Sequence, residues 1–171
     1  MELYKIGIKL FLANPRAVEI RDVIPVFHHW IQEQKIEGHL LIDVHDYSHV
    51  QNGPGILLVA QEGNFSMDQA EGRLGLVYYR KEPVAESLRV VFRCAQTAAR
   101  VLEQEPMLNQ IKFRQDEFLV FSNDRLLAPN TAESRSELEV ALKNAFPGAI
   151  VALSSRAADP RERLAFTVKP G

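Results

Sequence analysis

All five histidines of this 171-residue chain fall between positions 28 and 49. Histidine is the side chain whose unperturbed charge change lies nearest neutral pH, so the cluster is the first place to look for acid/base chemistry. The run Asp43-Val44-His45-Asp46-Tyr47-Ser48-His49 is the richest part of it. On a strand, Asp43, His45 and Tyr47 share one face at intervals of about 7 Å, so Asp43 can orient His45. His45 and Asp43 are therefore the candidate catalytic pair, with Tyr47, His49 and Asp46 as candidate ligand-binding groups. His45 and His49 would stand about 13 Å apart on an extended strand, too far to share a metal at Zn–N distances of about 2 Å, so no metal site is expected. His28 and His29 point about 100° apart on a helix and cannot chelate one ion together. His39 follows Gly38 and is expected in a turn. The plainer account of residues 43–49 is a solvated polar strand face running into a turn. It is preferred, because no third ligand is fixed by spacing and no nucleophile is paired with the histidines.

A second constellation is basic. Arg89, Arg93 and Arg100 fall in a narrow wedge of a helix expected from Pro83 to Glu105, opposite its apolar stripe. Such a ridge suits an acidic partner or a phosphate, and makes these three the candidate partner-binding residues. A solvated helix face is the commoner explanation. Lys112-Phe113-Arg114 and Phe118 to Phe121 interleave aromatic with basic residues, but the formal net charge of -2 provides no field for nucleic acid, and a core or interface role is preferred. Gly53-Pro54-Gly55 and Gly72-Arg73-Leu74-Gly75 are turns; neither carries the glycine set of a dinucleotide or phosphate loop, so no cofactor is expected.

The elements that must position these residues follow from periodicity. Tyr4 to Leu12 alternates as a half-buried strand with one face near water. A helix runs from about Asp22 to Lys35, with Pro25 in its first turn and Gly38 closing it. Leu40 to Tyr47, Ile56 to Gln61, Asn64 to Met67 and Leu74 to Tyr79 are consecutive strands of an antiparallel meander, the second of them apolar enough for burial on both faces. The Pro83–Glu105 helix comes next, with Cys94 beside its apolar stripe as a packed residue. Ile111 to Phe113 and Phe118 to Phe121 form a hairpin about Gln115-Asp116-Glu117. Asn130 caps a last helix through Glu133, and Ala149 to Leu153 pairs with Arg163 to Val168 around a polar loop.

Strands that follow one another without intervening helices argue for α+β: a single domain over residues 1–171, mainly an antiparallel sheet, with about three helices packed chiefly on one face. Composition agrees, with 46% hydrophobic and 25% charged residues. One cysteine excludes an internal disulfide and points to a reducing compartment, hence a cytoplasmic location. No run of about 18 apolar residues is present to span a membrane, and the short apolar stretch at Ile6 to Ala13 is broken by Lys9 and is not a signal peptide. The charge is uneven. Residues 1–78 carry 6 basic and 10 acidic groups, leaving 14 and 12 for the remainder. With complete patterning and no catalytic signature, the expected function is binding of a protein partner or self-association through a sheet edge or the aromatic hairpin. The alternative is a small-ligand binder or enzyme using the polar site at the end of the second strand.

Overall fold

The alternation around Lys9 and the apolar run after Pro54 belong to one eight-stranded sheet. The computed structural model describes residues 5–81, 88–108 and 110–171. Its strands are β1 (Ile6–Leu12), β2 (Leu41–Tyr47), β3 (Gly55–Ala60), β4 (Gly63–Asp68), β5 (Gly75–Arg80), β6 (Phe113–Ser122), β7 (Ile150–Leu153) and β8 (Ala165–Lys169). Every neighbouring pair is antiparallel, in the order β2-β3-β4-β5-β1-β6-β8-β7. The expected meander is therefore present as β2 to β5. The helices are α1 (Val23–Glu33), α2 (Leu88–Glu103) and α3 (Ala132–Ala145). The expected starts of the first strand at Tyr4 and of the second helix at Pro83 lie outside the described residues.

All three helices cover one face. Val26, Phe27 and Trp30 of α1, Val91, Ala95 and Leu102 of α2, and Leu138 and Leu142 of α3 pack with Ile6, Ile8, Leu10, Ile56, Leu58, Phe65, Met67, Leu76, Val120 and Phe166 in one core. This is the α+β arrangement that consecutive strand patterns imply. Inside that core Trp30 donates its indole N–H to Glu105 at 2.8 Å, giving a buried carboxylate a partner. His39 follows Gly38 at the end of a turn, its N–H donating to the Ile36 carbonyl at 3.3 Å. It is buried between Phe65 and Tyr78, and its Nε2 lies 2.6 Å from the Tyr78 hydroxyl.

Five local expectations are corrected. β1 does not have one face near water: it is flanked by β5 and β6, and all seven of its residues are buried. Period two was legible, but centrality in the sheet was not. β3 buries Ile56, Leu58 and Ala60 yet leaves Leu57 and Val59 half-buried, because only β2 lies beyond it. The hairpin at Gln115-Asp116-Glu117 is a bulge within β6. Leu10 faces Phe118 while Leu12 faces Phe113, so β6 absorbs three extra residues there and continues. Finally, Thr131 rather than Asn130 caps α3, its Oγ1 accepting the Ser134 N–H at 3.3 Å, and Gln34 in left-handed conformation rather than Gly38 ends α1.

Two glycines make the face opposite the helices possible. A Cβ on Gly7 would lie 2.2 Å from the Phe121 ring, and one on Gly75 would lie 2.5 Å from the Leu10 carbonyl and 2.9 Å from Lys9 Cε. They mark close approach, as glycines inside strands often do. Gly7→Ala is expected to destabilise the fold by about 1–3 kcal/mol through overpacking, read as a lower urea midpoint at unchanged slope. A second expectation concerns pH. Burial lowers the His39 pKa below its ordinary 6.5. The folded state therefore holds the ring neutral where the unfolded chain has already taken a proton. Its contribution is intact above about pH 6.5 and is lost as pH falls from there through the lowered value. The urea midpoint should drop between pH 7.5 and 5.5, and His39→Gln should flatten that drop.

Candidate functional site

The face of the sheet that the helices leave open has a different composition. Register places Asn64, Ser66 and Asp68 of β4 beside Tyr79, Val77 and Gly75 of β5, and these beside Gly7, Lys9 and Phe11 of β1. Gly7 and Lys9 face Phe121 and Leu119 of β6, which face Ala165 and Thr167 of β8. Phe11, Val77, Leu119, Phe121 and Ala165 form a small second core, joined by Ala157 from the loop between β7 and β8.

Polar groups sit within this apolar patch. Lys9 reaches over Gly75, across the intervening β5, to place its ammonium 2.5 Å from Asp68 Oδ1. The side chains are only 3% and 9% exposed. Burial pulls the Lys9 pKa below its ordinary value, while the Asp68 charge and hydrogen bond push it back up. The Ala70 N–H also donates to Asp68 Oδ1, and among the described residues nothing donates to Oδ2.

The loop after β7 starts at the far end of the sheet and folds back over this face. Asn130, freed from capping, holds it: its Nδ2 meets the carbonyls of Ala157, Asp159 and Glu162 at 2.7–3.1 Å, while Arg135 braces Asn130 Oδ1 and the Ala157 carbonyl. The fold-back brings Arg156 to Glu162 at 2.7 Å and to Glu71 at 3.5 Å. Glu71 itself adopts a left-handed backbone (φ 61°), and its N–H donates to Asn52 Oδ1, another left-handed residue (φ 54°). Two non-glycine residues in this region are uncommon and mark a conformation imposed by its surroundings. Three loops, after β2, β4 and β7, are thus linked through Asn52, Glu71 and Arg156.

Arg163, at the end of the folded loop, is the unusual residue. Its guanidinium lies 3.7 Å from the centre of the Phe121 ring, and its Nη1 donates to Asn123 Oδ1 at 3.0 Å. Burial lowers its pKa. Among the described residues no carboxylate lies within 4 Å of it, and Arg125 nearby likewise has none, its Nη1 donating to the Arg161 carbonyl. Beside Arg163 opens a cavity of about 310 Å³ lined by Asn52, Ser66, Asp68, Tyr79, Asn123 and Arg125 among others. A second, of about 550 Å³, lies on the Lys9 and Glu71 side of Arg156 and Arg163. This arrangement can bind a small anion: one guanidinium partly withdrawn from water, hydroxyl and amide donors, and an aromatic floor.

The residues singled out from sequence lie elsewhere. β2 is an edge strand, and Asp43, His45, Asp46, Tyr47 and His49 are all exposed. The structure does bring Asp43, His45 and Tyr47 together: Asp43 Oδ2 is 3.5 Å from His45 Nε2, and the His45 and Tyr47 rings are 6.1 Å apart. Asp46 pairs instead with Arg21 at 3.1 Å and accepts from Ser48, whose hydrogen bonds hold its carboxyl below the ordinary range. His49 lies in the following turn. His45 occupies the same register row as Lys9, through Leu57, Ser66 and Val77, four strand spacings or about 19 Å away. Arg89, Arg93 and Arg100 are exposed on α2. Among the described residues no group of three or more His, Cys, Asp or Glu is placed to hold a metal ion, and no helix is long and apolar enough to cross a membrane.

Sequence reasoning missed Lys9, Asp68, Arg156 and Arg163. The available signals were a lysine at an inward position of an apolar strand and glycines inside strands that the structure shows to be central. The chain matches no known protein family, no curated protein and no solved structure. If the Lys9–Asp68 pair supports the open face, Asp68→Ala, which strands a buried ammonium, should lower stability by about 3–5 kcal/mol. The double variant Lys9→Met/Asp68→Leu should recover most of that loss in urea unfolding.

Proposed function

We propose that this protein works by binding, and that what it binds is a small anion held over the open face of the sheet. One observation carries the reading: Arg163, partly buried against Phe121, faces a polar cavity without a carboxylate partner among the described residues. A cation withdrawn from water is expensive unless paired, and an arrangement that leaves one beside a cavity with convergent donors is suited to an anionic ligand that completes the pair. The single cysteine fits a reducing compartment, so we place the protein in the cytoplasm.

Self-association through the β2 edge is the competing interaction reading. Leu40, Ile42, Tyr47 and Val50 are exposed along that edge. The edge is also blunted: the Asp43 carboxylate takes the Val44 N–H at 2.8 Å, and the pairing with β3 is irregular between Leu41 and Asp43. Charges and bulges of this kind keep sheet edges from pairing with other chains, which favours the small-ligand reading.

Thermal unfolding in the presence of inorganic phosphate checks it. Bound anion should raise the melting temperature, and go on raising it with the logarithm of phosphate concentration above the Kd, because ligand that binds only the folded state stabilises it by mass action. Arg163→Met, which keeps bulk over Phe121 and removes the charge, should abolish that rise while melting, without phosphate, at or above the wild-type temperature. Retention of the full rise in the variant, or no response of the wild type to phosphate, would sink the proposal.

A further inference from the structure

The anion site has a second half, and its chemistry narrows the ligand. Resting on the anion reading above, we infer that the ligand is the phosphate monoester of a small polyhydroxylated molecule, such as a sugar phosphate. The phosphate would lie at Arg163 and Arg125 and the hydroxyls at Asp68, Ser66 and Tyr79.

Charge selects the head group. Around the 310 Å³ cavity, Arg156 is matched by Glu162 and Glu71, and Asp68 is matched by Lys9. That leaves two guanidinium groups, of Arg125 and Arg163, with no carboxylate within 4 Å among the described residues. Two guanidinium groups that converge on one cavity without a carboxylate partner suit a head group whose oxygens radiate from one atom, and guanidinium forks match phosphate oxygens.

Hydrogen-bonding capacity selects the rest of the molecule. Asp68 spends Oδ1 on Lys9 and the Ala70 N–H, and Oδ2 accepts from no described residue. The Ser66 hydroxyl, on the same face of β4, is also without a partner among the described residues. Yet no side-chain oxygen or nitrogen fully closed off from solvent lacks a hydrogen bond there, so both groups open onto the cavity they line. Tyr79 accepts from Asn64 Nδ2 at 2.9 Å, which leaves its own O–H free to donate. A carboxylate oxygen that can only accept, beside a serine hydroxyl that can do either and a tyrosine hydroxyl free to donate, calls for a ligand bearing several hydroxyl groups. A bare phosphate or a hydrocarbon acid would leave these groups unmatched. The volume lies at the lower end of the range for small-molecule sites.

Titration calorimetry on the full chain tests this with ribose 5-phosphate, glucose 6-phosphate, glycerol 3-phosphate, inorganic phosphate, ribose and malate. At least one sugar or polyol phosphate should bind about tenfold or more tighter than inorganic phosphate, the return expected from one or two net hydrogen bonds. Ribose alone should give no binding. Ser66→Ala and Tyr79→Phe, each removing only a hydroxyl, should erase the tenfold advantage and leave the affinity for inorganic phosphate within about twofold. Equal affinity for inorganic phosphate and every phosphate ester would overturn the hydroxyl half while the anion reading stands. Tighter binding of malate would overturn the choice of phosphate. Absence of binding by every anion would overturn both readings together.

Discussion

Lys9 is the residue on which the open face is organised. It stands in the central strand with a neighbour on each side, so its ammonium cannot reach water sideways, and apolar residues surround its stem. An unpaired ammonium there would carry a large desolvation penalty. The partner, Asp68, is two strands away, and the path between them exists because Gly75 has no side chain. The ion pair fixes the end of β4 and, through the Ala70 carbonyl, the start of the turn that follows, which is where Glu71 takes up its left-handed backbone.

From there the constraints pass from loop to loop. Glu71 meets Asn52 on one side and Arg156 on the other, and the loop carrying Arg156 is pinned from beneath by Asn130. The same loop ends at Arg163, laid on Phe121, whose ring occupies space that only a glycine at position 7 leaves open. Two glycines, one ion pair and one asparagine thus account for the position of a guanidinium that has no carboxylate beside it among the described residues. Sheets covered by helices on one side commonly turn their other face to solvent. Here a loop folds over part of that face, and what lies between loop and sheet is a small apolar cluster with charged groups set beside it.

The edge strand β2 shows how a polar cluster can be conspicuous in sequence and peripheral in space. Asp43, His45 and Tyr47 do share a face, as period two requires, and Asp43 does approach His45. The strand has a partner on one side only, and no loop folds over these side chains, so they remain in water. Water screens their charges, which gives them little leverage for catalysis.

Local chemistry in the sequence determined the α+β class, the meander, the three helices and their apolar stripes, because those follow from side-chain periods of 2 and 3.6 along the chain. It also marked the turn about Gly53-Pro54-Gly55, although Gly55 itself already begins β3. It did not decide which strand lies at the centre, since alternating apolar and polar residues describe β1 whether its second face meets solvent or a loop. It did not decide that Gln115-Asp116-Glu117 bulges instead of turning, because that depends on the register against Leu10 and Leu12. The candidate site belongs wholly to this second category. Lys9 and Asp68 are 59 residues apart, and Arg156 and Glu71 are 85 apart. Only the strand order and the fold-back of one loop bring them together, and only burial makes their charges matter.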